Sequence, residues 1–471
     1  MQNNNCQRPI RTYGSRGRDV AARTAGRHGA GARALVVDLI SDRSGIIMIA
    51  ALILLVSAVS ASNEPGEIVV NHVERADDAV ADTDLLMAFV IFRHGDRTPD
   101  DEELDLNQGQ EQKTKNYFPY GLKALTNVPW ALDSAFHPTC SFNFATNYGF
   151  NLDEAEAGKM RGYRVGEFLR QRYDGFLSRL YLPGEISVRC TGYDRTKMTA
   201  LTALAALYAP PPAQKWNPTL DWQPVPYDVL PNTEDNLLYW YFCPRYLWLR
   251  NRMYERPEVQ QKLKPYDNLY KKLSEYTKTN ISTPEDVFYL DNLFQAEANV
   301  GIRLPKWAIE MMPQIKEMTK IEFELEFYTD ELIRLASGVL ISSILDEIEE
   351  VIKRGDKEPS PKMRLYSAHE NNVAALMAAV RVFRPHQPKY GATFSMELRR
   401  QISTGAHGIV AVYVSQPGAK ETLLPINGCG GEVFCDYATF LNLTQNVRLS
   451  RSEYDNQCPD LESCDGTTCR N

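Results

Sequence analysis

Three segments of the chain repeat one arrangement of apolar and polar positions. Leu85 to Phe92 (LLMAFVIF) is a continuous apolar run, and Arg93-His94-Gly95-Asp96-Arg97-Thr98-Pro99 follows directly. Glu185 to Val188 runs into Arg189-Cys190-Thr191-Gly192, and Asp194 to Leu207 then places Ala and Leu at helical spacing until Pro210-Pro211-Pro212 stops it. Met363 to Tyr366 leads into Ser367-Ala368-His369-Glu370-Asn371-Asn372, and an Ala-rich helix continues over Val373 to Val380. A fourth apolar run, Ile409 to Val414, reads as a further buried strand. Short runs rich in β-formers and bounded by polar sequence are how strands buried on both faces of a parallel sheet read. Strand, polar turn and helix form the unit of a doubly wound α/β fold. The expected fold is therefore α/β, with a doubly wound, mostly parallel sheet flanked by helices. Ligands of such sheets sit at the carboxyl ends of the strands, and three of these strands end in Arg or His.

Residues 206–350 have a different texture. Trp and Tyr are dense at Leu237 to Trp248, and helical patterns follow, the clearest at Phe323 to Leu345. This stretch reads as a mainly helical cap inserted into a core made of residues 84–205 and 351–445, with a Cys-rich tail at 446–471. Asp153 to Tyr173 reads as a separate amphipathic helix, with Arg161, Arg164, Arg170 and Arg172 on a solvated face.

Charge is divided unevenly. The chain has 471 residues and a net charge of −8, yet residues 1–61 hold eight Arg against three Asp, so the remainder carries −13. An acidic body argues against nucleic acid as a partner. An anionic substrate would need a local basic cluster. Gly45 to Ala61 is an apolar run that ends in Val59-Ser60-Ala61. Together with the Arg-rich stretch before it, this reads as a leader over residues 1–61: a cleaved signal peptide or an uncleaved signal anchor. A membrane is a partner only in the second case. Both readings send the body into the secretory pathway.

Cysteine usage agrees with that compartment. Beyond Cys6 there are eight: Cys140, Cys190, Cys243, Cys429, Cys435, Cys458, Cys464 and Cys469. All except Cys190 are taken as disulfide candidates, with the pairing open. Cys429 and Cys435 could close a tight loop around Gly430-Gly431. Asn280 and Asn442 stand in glycosylation sequons.

The candidate chemistry starts at Arg93 to Pro99. Two guanidiniums, Arg93 and Arg97, flank His94 and can bind phosphate oxygens with fork geometry. Gly95 would let the backbone approach a ligand closely. A neutral imidazole whose other nitrogen donates to a carbonyl can attack phosphorus. Arg189 and His369, from the other strand ends, could complete a positive cage around the transition state. Glu370 could protonate the leaving alkoxide as general acid, which favours an acidic working pH. Arginines supply the positive charge in this scheme, so no metal and no cofactor are expected. His72, His137, His386 and His407 have no comparable neighbours and read as structural or surface residues.

RHGDRTP after a buried strand resembles the signature of the histidine acid phosphatases of the prostatic, lysosomal and insect venom type. The likeness extends over most of residues 85–440. Val188-Arg-Cys-Thr-Gly-Tyr-Asp-Arg-Thr-Lys-Met-Thr-Ala200 resembles the family's second arginine motif, and Cys243-Pro-Arg-Tyr246 and Tyr366-Ser-Ala-His369 are also similar. The resemblance implies His94 as nucleophile of a phosphohistidine, with Arg93, Arg97, Arg189 and His369 binding the phosphoryl group. It also implies an α/β core with a helical cap, structural disulfides, no metal and frequent homodimers. Two departures stand out. Glu370 occurs where the family commonly has Asp, and Cys190 where Ser is usual.

The expected function is thus a secreted acid phosphatase, with a lysosomal location as an alternative, acting on small phosphate monoesters. Two rivals are a phytase-like inositol phosphate phosphatase and a catalytically weak secreted binding protein on the same fold. The first would want a cap rich in basic residues; Lys262, Lys264, Lys271 and Lys272 are interspersed with acids.

Overall fold

Apolar residues alternate between the two faces of the first strand, and both faces are covered. In the computed structural model, which describes residues 80–108, 121–126, 158–355 and 361–459, Met87, Phe89 and Ile91 enter one hydrophobic core and Ala88, Val90 and Phe92 another. That two-sided burial is why the run reads as unbroken. Each of the large side chains contributes roughly 1.5–3 kcal/mol by leaving water. The leader at 1–61, together with His72, Cys140, His137, Cys464 and Cys469, lies outside the described residues.

In chain order the main elements are β1 Thr83–Arg93, α1 Asp101–Asp105, α2 Gly158–Arg172, β2 Ile186–Cys190, α3 Asp194–Leu207 and β3 Asp228–Val229. Helices α4 Pro244–Tyr254, α5 Pro257–Leu263, α6 Asp267–Thr277, α7 Pro284–Asn299, α8 Lys306–Glu326 and α9 Asp330–Arg354 follow. The chain then returns through β4 Met363–Ala368, α10 Glu370–Ala379, β5 Thr393–Gln401, β6 His407–Val414, β7 Thr422–Leu424, β8 Phe434–Asp436, α11 Tyr437–Thr444 and α12 Arg451–Gln457.

The strands form one mixed sheet in the order β3-β2-β4-β1-β5-β6-β7, with β8 also on β6. The pairings β2–β3, β2–β4 and β1–β4 are parallel. Those from β1 to β5 and onward are antiparallel. Helices α2 and α3 cover one face, and α9 and α10 the other. In the parallel half the register sets Arg93 beside Ala368 and Cys190 beside Ser367. The turns that follow β1, β2 and β4 therefore emerge side by side.

Three differences from the sequence pattern have physical causes. The helical pattern at Phe323 to Leu345 is two helices, because Thr329 caps a new one by accepting from the Leu332 amide. Helix α9, inside the range expected for the cap, packs in the same core as the sheet, whereas α5 to α8 build a separate apolar cluster of their own. Strand β5 carries no continuous apolar run. Phe394, Met396 and Leu398 alternate with Ser395 and Glu397, and all five are buried.

Among the described residues two disulfides are formed, Cys243–Cys458 and Cys429–Cys435. The first ties the start of α4 to the end of α12. Cys190 is a buried free thiol, pushed up to about 12 by burial. Asn280 and Asn442 are exposed. Among the described residues, no helix is long and apolar enough to cross a membrane.

Candidate active site

His94 is the residue immediately after β1, and its ring is buried. Its Nδ1 lies 2.7 Å from the Gly95 carbonyl oxygen. A carbonyl can only accept, so Nδ1 carries the proton. Arg195 Nε donates to Nε2 at 3.2 Å, so the lone pair sits on Nε2. Burial holds the His94 imidazolium well below the ordinary histidine range, and the charges of Arg195, His369, Arg93 and Arg97 push the same way. A neutral ring with its lone pair on Nε2 is the form that can attack phosphorus once the Arg195 donor turns to the substrate's oxygens.

Glycine is required after His94. A Cβ on Gly95 would fall 2.0 Å from the Gly158 carbonyl oxygen, and a Cβ on Gly158 would fall 2.0 Å from that of Asp96. The close approach expected at Gly95 is thus to the first residue of α2. The Gly95 amide donates to Thr199 Oγ1 at 3.1 Å, which fixes the turn against α3.

Arg93 is fully buried. It donates through Nη1 to the Pro388 carbonyl at 2.8 Å and through Nη2 to Glu370 Oε1 at 2.9 Å, and its Nε lies 2.9 Å from Glu370 Oε2. Its guanidinium stacks 3.9 Å over the Tyr390 ring. Arg97 is held by Glu103 through both terminal nitrogens. His369, the N-cap of α10, accepts or donates at Nε2 with Thr191 Oγ1 2.9 Å away, and its ring centroid is 5.4 Å from that of His94. Burial followed by Arg195, Arg97 and Arg93 holds His369 well below its ordinary range as well. Glu370 opens α10 and is buried.

The structure therefore gathers Arg93, His94, Arg97, His369 and Glu370 in one cluster at the ends of β1 and β4. It does not bring Arg189 there. Arg189 lies within β2, where its side chain pairs with buried Asp235 at 2.6 Å. Val188 and Cys190, its neighbours, enter the core. The arginine that reaches His94 from this segment is Arg195, the second residue of α3. Its guanidinium lies 4.3 Å over the Tyr193 ring, and its Nη1 is buried without a hydrogen-bond partner among the described residues. Arg195 stands in the same motif as Arg189. The signal that separates them is position: a strand residue alternates away, whereas the first turn of the next helix faces the strand ends.

Of the arginines assigned to a solvated face, Arg161 is buried and Arg172 is half-buried with its side chain covered. Arg161 binds Asp96, with Nε 2.5 Å from Oδ2, and Asn299 donates to the same carboxylate at 2.8 Å. Arg172 binds Glu397 at 2.8 Å and Glu421 at 2.6 Å. Arg164 is exposed, and Arg170 donates to the Ser178 and Leu177 carbonyls. The acids that bury these charges come from distant strands and loops, which helical spacing does not show.

Polar contacts hold the first turn of α10. Asn371 donates to both oxygens of Glu326 at 2.9 Å and to the Tyr241 hydroxyl. Glu326 shares a buried cluster with Arg250, Glu322 and Glu285. Burial pushes Glu326 up to about 8, against the pull of Arg250. Asn372 donates to the Leu238 carbonyl at 2.5 Å, so the aromatic stretch before α4 braces the same turn.

Charge decides what such a cluster can hold. His94, His369 and Glu370 are close enough to ligate one ion. Three buried guanidiniums act on the same histidines, however, and favour an anion over a cation. Arg97 Nε and Arg195 Nη1 are buried donors without partners among the described residues, which suits an oxyanion.

Comparison with known proteins agrees with this geometry. Residues 84–415 match the family model of the histidine phosphatase superfamily, branch 2. The chain is 32% identical over 366 residues to the venom acid phosphatase of Apis mellifera, covering 77% of this chain and 85% of that one. It is 30% identical over 381 residues to the prostatic acid phosphatase of Bos taurus, covering 79% and 87%. It is 31% identical over 296 residues to the human lysosomal acid phosphatase, covering 62% and 69%. Among solved structures it shares its fold with the phytase of Citrobacter braakii (TM-score 0.52, 15% identity, 79% of this chain and 99% of that chain). The Hafnia alvei phytase bound to myo-inositol hexakis sulphate is similar to the same degree (TM-score 0.53, 15% identity, 78% and 98%). The chain belongs to branch 2 of the histidine phosphatase superfamily and is an acid phosphatase of the histidine type.

Proposed function

We propose that this enzyme hydrolyses small phosphate monoesters through a covalent phosphohistidine on His94, in the secretory pathway or outside the cell. One observation carries the reading. His94 Nδ1 is fixed on the Gly95 carbonyl while Nε2 keeps its lone pair against the Arg195 guanidinium. In the first step Nε2 forms a bond to phosphorus as the ester oxygen leaves. Glu370 gives its proton to that oxygen. In the second step water attacks phosphorus, Glu370 takes the water's proton, and the bond to nitrogen breaks to release phosphate. Arg93, Arg97, Arg195 and His369 hold the equatorial oxygens throughout, and preorganised donors of this kind stabilise the transition state.

Small esters suit the surroundings better than polyphosphates. The positive charges that act on His94 and His369 belong to arginines of the phosphoryl pocket. Lys262 is taken up by Glu324. Beside His369 stands Tyr193, at 5.0 Å between ring centroids, with Tyr239 and then the exposed Phe242 beyond it. Formed disulfides fit an oxidising compartment, and exposed Asn280 and Asn442 are the proposed glycosylation sites.

The test is turnover of p-nitrophenyl phosphate and of inositol hexakisphosphate from pH 4 to 8, beside His94→Ala. Acid-favoured turnover of the simple ester, lost in the variant, is expected. Equal activity in the variant would remove His94 as nucleophile. Preference for the inositol ester would favour the phytase-like rival, and no turnover of either would favour a binding protein.

A further inference from the structure

We infer that Glu103 is a positioning residue of the phosphoryl pocket, a clamp that fixes which edge of Arg97 meets the substrate; this rests on the reading of the site given above. Glu103 is buried, at the third position of α1. Its Oε2 accepts from Arg97 Nη1 at 2.9 Å and from the Asp100 amide at 2.9 Å, and its Oε1 accepts from Arg97 Nη2. The carboxylate thus closes a capping box and grips a guanidinium at once. Arg97 Nη1 spends its other hydrogen on the Thr98 carbonyl at 3.1 Å.

A guanidinium has five N–H donors arranged along edges. Glu103 occupies the end-on edge, formed by Nη1 and Nη2. Left over are Nε–H and the second Nη2 hydrogen, which share the side-on edge. Arg97 Nε is buried and has no partner among the described residues. The charge of Arg97 nevertheless acts on both site histidines. Arg93 is arranged the other way round, with Nε and Nη2 on Glu370 and Nη1 on a backbone carbonyl. The two arginines flanking His94 therefore carry carboxylates on different edges. Arg93 Nε also lacks an aligned hydrogen bond, but a carboxylate oxygen of Glu370 lies 2.9 Å from it, whereas the side-on edge of Arg97 carries no carboxylate, and a planar fork fixed in advance loses little entropy on meeting a phosphate oxygen.

Glutamine cannot replace this clamp. Its amide nitrogen would face an Arg97 donor, so one arm of the fork is lost while the capping acceptor survives. The experiment compares Glu103→Gln in the full chain with the same change in an Arg97→Ala background. The expected result is a fall of at least tenfold in kcat for p-nitrophenyl phosphate, larger than any change in KM, in the first background. In the second, kcat should change less than twofold. An unaltered kcat in the first background, or an equal loss in both, would overturn the clamp. If Glu103→Gln loses its near-ultraviolet circular dichroism, Glu103→Asp, which keeps the charge and shortens the reach, takes its place under the same criteria. Calorimetric binding of inorganic phosphate separates this inference from the proposed reaction. Glu103→Gln should weaken that binding at least threefold when Arg97 is present and not when it is absent. This holds even if the chain hydrolyses no ester, a result that would defeat the reaction alone.

Discussion

Arg93 and Glu370 meet edge to edge across 277 positions of sequence, with Nη2 2.9 Å from Oε1 and Nε 2.9 Å from Oε2. The carboxylate of Glu370 thus lies on the arginine that precedes the proposed nucleophile, His94. A general acid in that position matters in proportion to how badly the leaving group needs a proton. Glu370→Gln is expected to lower kcat for an alkyl phosphate by about 10²–10⁴-fold. For p-nitrophenyl phosphate, whose leaving group needs little help, the loss should be far smaller. Equal losses on both esters would take Glu370 out of the acid role.

Arg195 and Arg189 make a paired prediction. Arg195→Ala removes the guanidinium that stands beside His94 Nε2 and is proposed to hold a phosphoryl oxygen, and loss of one preorganised donor typically costs about 10²–10³ in kcat. Arg189→Ala should leave kcat within a few-fold of wild type and lower stability by about 2 kcal/mol, because Asp235 loses its charged partner. Steady-state kinetics with denaturant unfolding of both variants checks this, and the reverse pattern would restore Arg189 to the site.

The pH profile follows from the environment of His94. Burial, then Arg195, His369, Arg93 and Arg97, hold its imidazolium well below the usual value. The ring therefore stays neutral as pH falls through about 6.5, where an unperturbed histidine protonates. Measured from pH 3.5 to 8, kcat/KM should not fall by half as the pH is lowered through 6.5. Stability has the matching sign. Below that pH the unfolded chain binds a proton that the folded chain refuses, so this residue makes the fold less stable as acidity rises. A histidine-like limb near 6.5 that disappears in no other variant would contradict the neutral nucleophile.

Glu326 acts in the opposite sense. Raised from 4.5 to about 8 by burial, against the pull of Arg250, it keeps its proton in the folded chain while the unfolded chain gives it up. Its contribution to stability is complete below about 4.5 and fades as pH rises toward 8. The difference in Tm between wild type and Glu326→Gln, which mimics the neutral acid, should therefore shift in favour of the variant from pH 5 to pH 8.5. A pH-independent difference would show that Glu326 is ionised in the fold.

The bond between Cys243 and Cys458 closes a loop of 215 residues. Closure of a loop this long is worth about 5.4 kcal/mol in the chain-entropy picture. Cys243→Ser should lower the unfolding free energy by a sizeable share of that, measured in denaturant with Cys429–Cys435 still closed. A change below about 1 kcal/mol would mean that other contacts hold α4 and α12 together.

Sequence by itself determined the parts of this protein that depend on neighbours along the chain. Leu85 to Phe92 announced a strand buried on both faces, Asp194 to Leu207 announced a helix, and Arg93, His94 and His369 stood at strand ends because local pattern places them there. The family resemblance rested on the same short stretches. Tertiary structure decided everything that depends on which side chain meets which. It chose Arg195 over Arg189, since alternation along β2 turns one away and the first turn of α3 brings the other in. It buried Arg161 against Asp96 and Arg172 against Glu397, partners 65 and 225 positions away. It also laid Glu103 and Glu370 on different edges of the two arginines beside His94. A charged residue in sequence carries no record of its partner. Only the folded chain, by excluding water from both, makes the pairing obligatory.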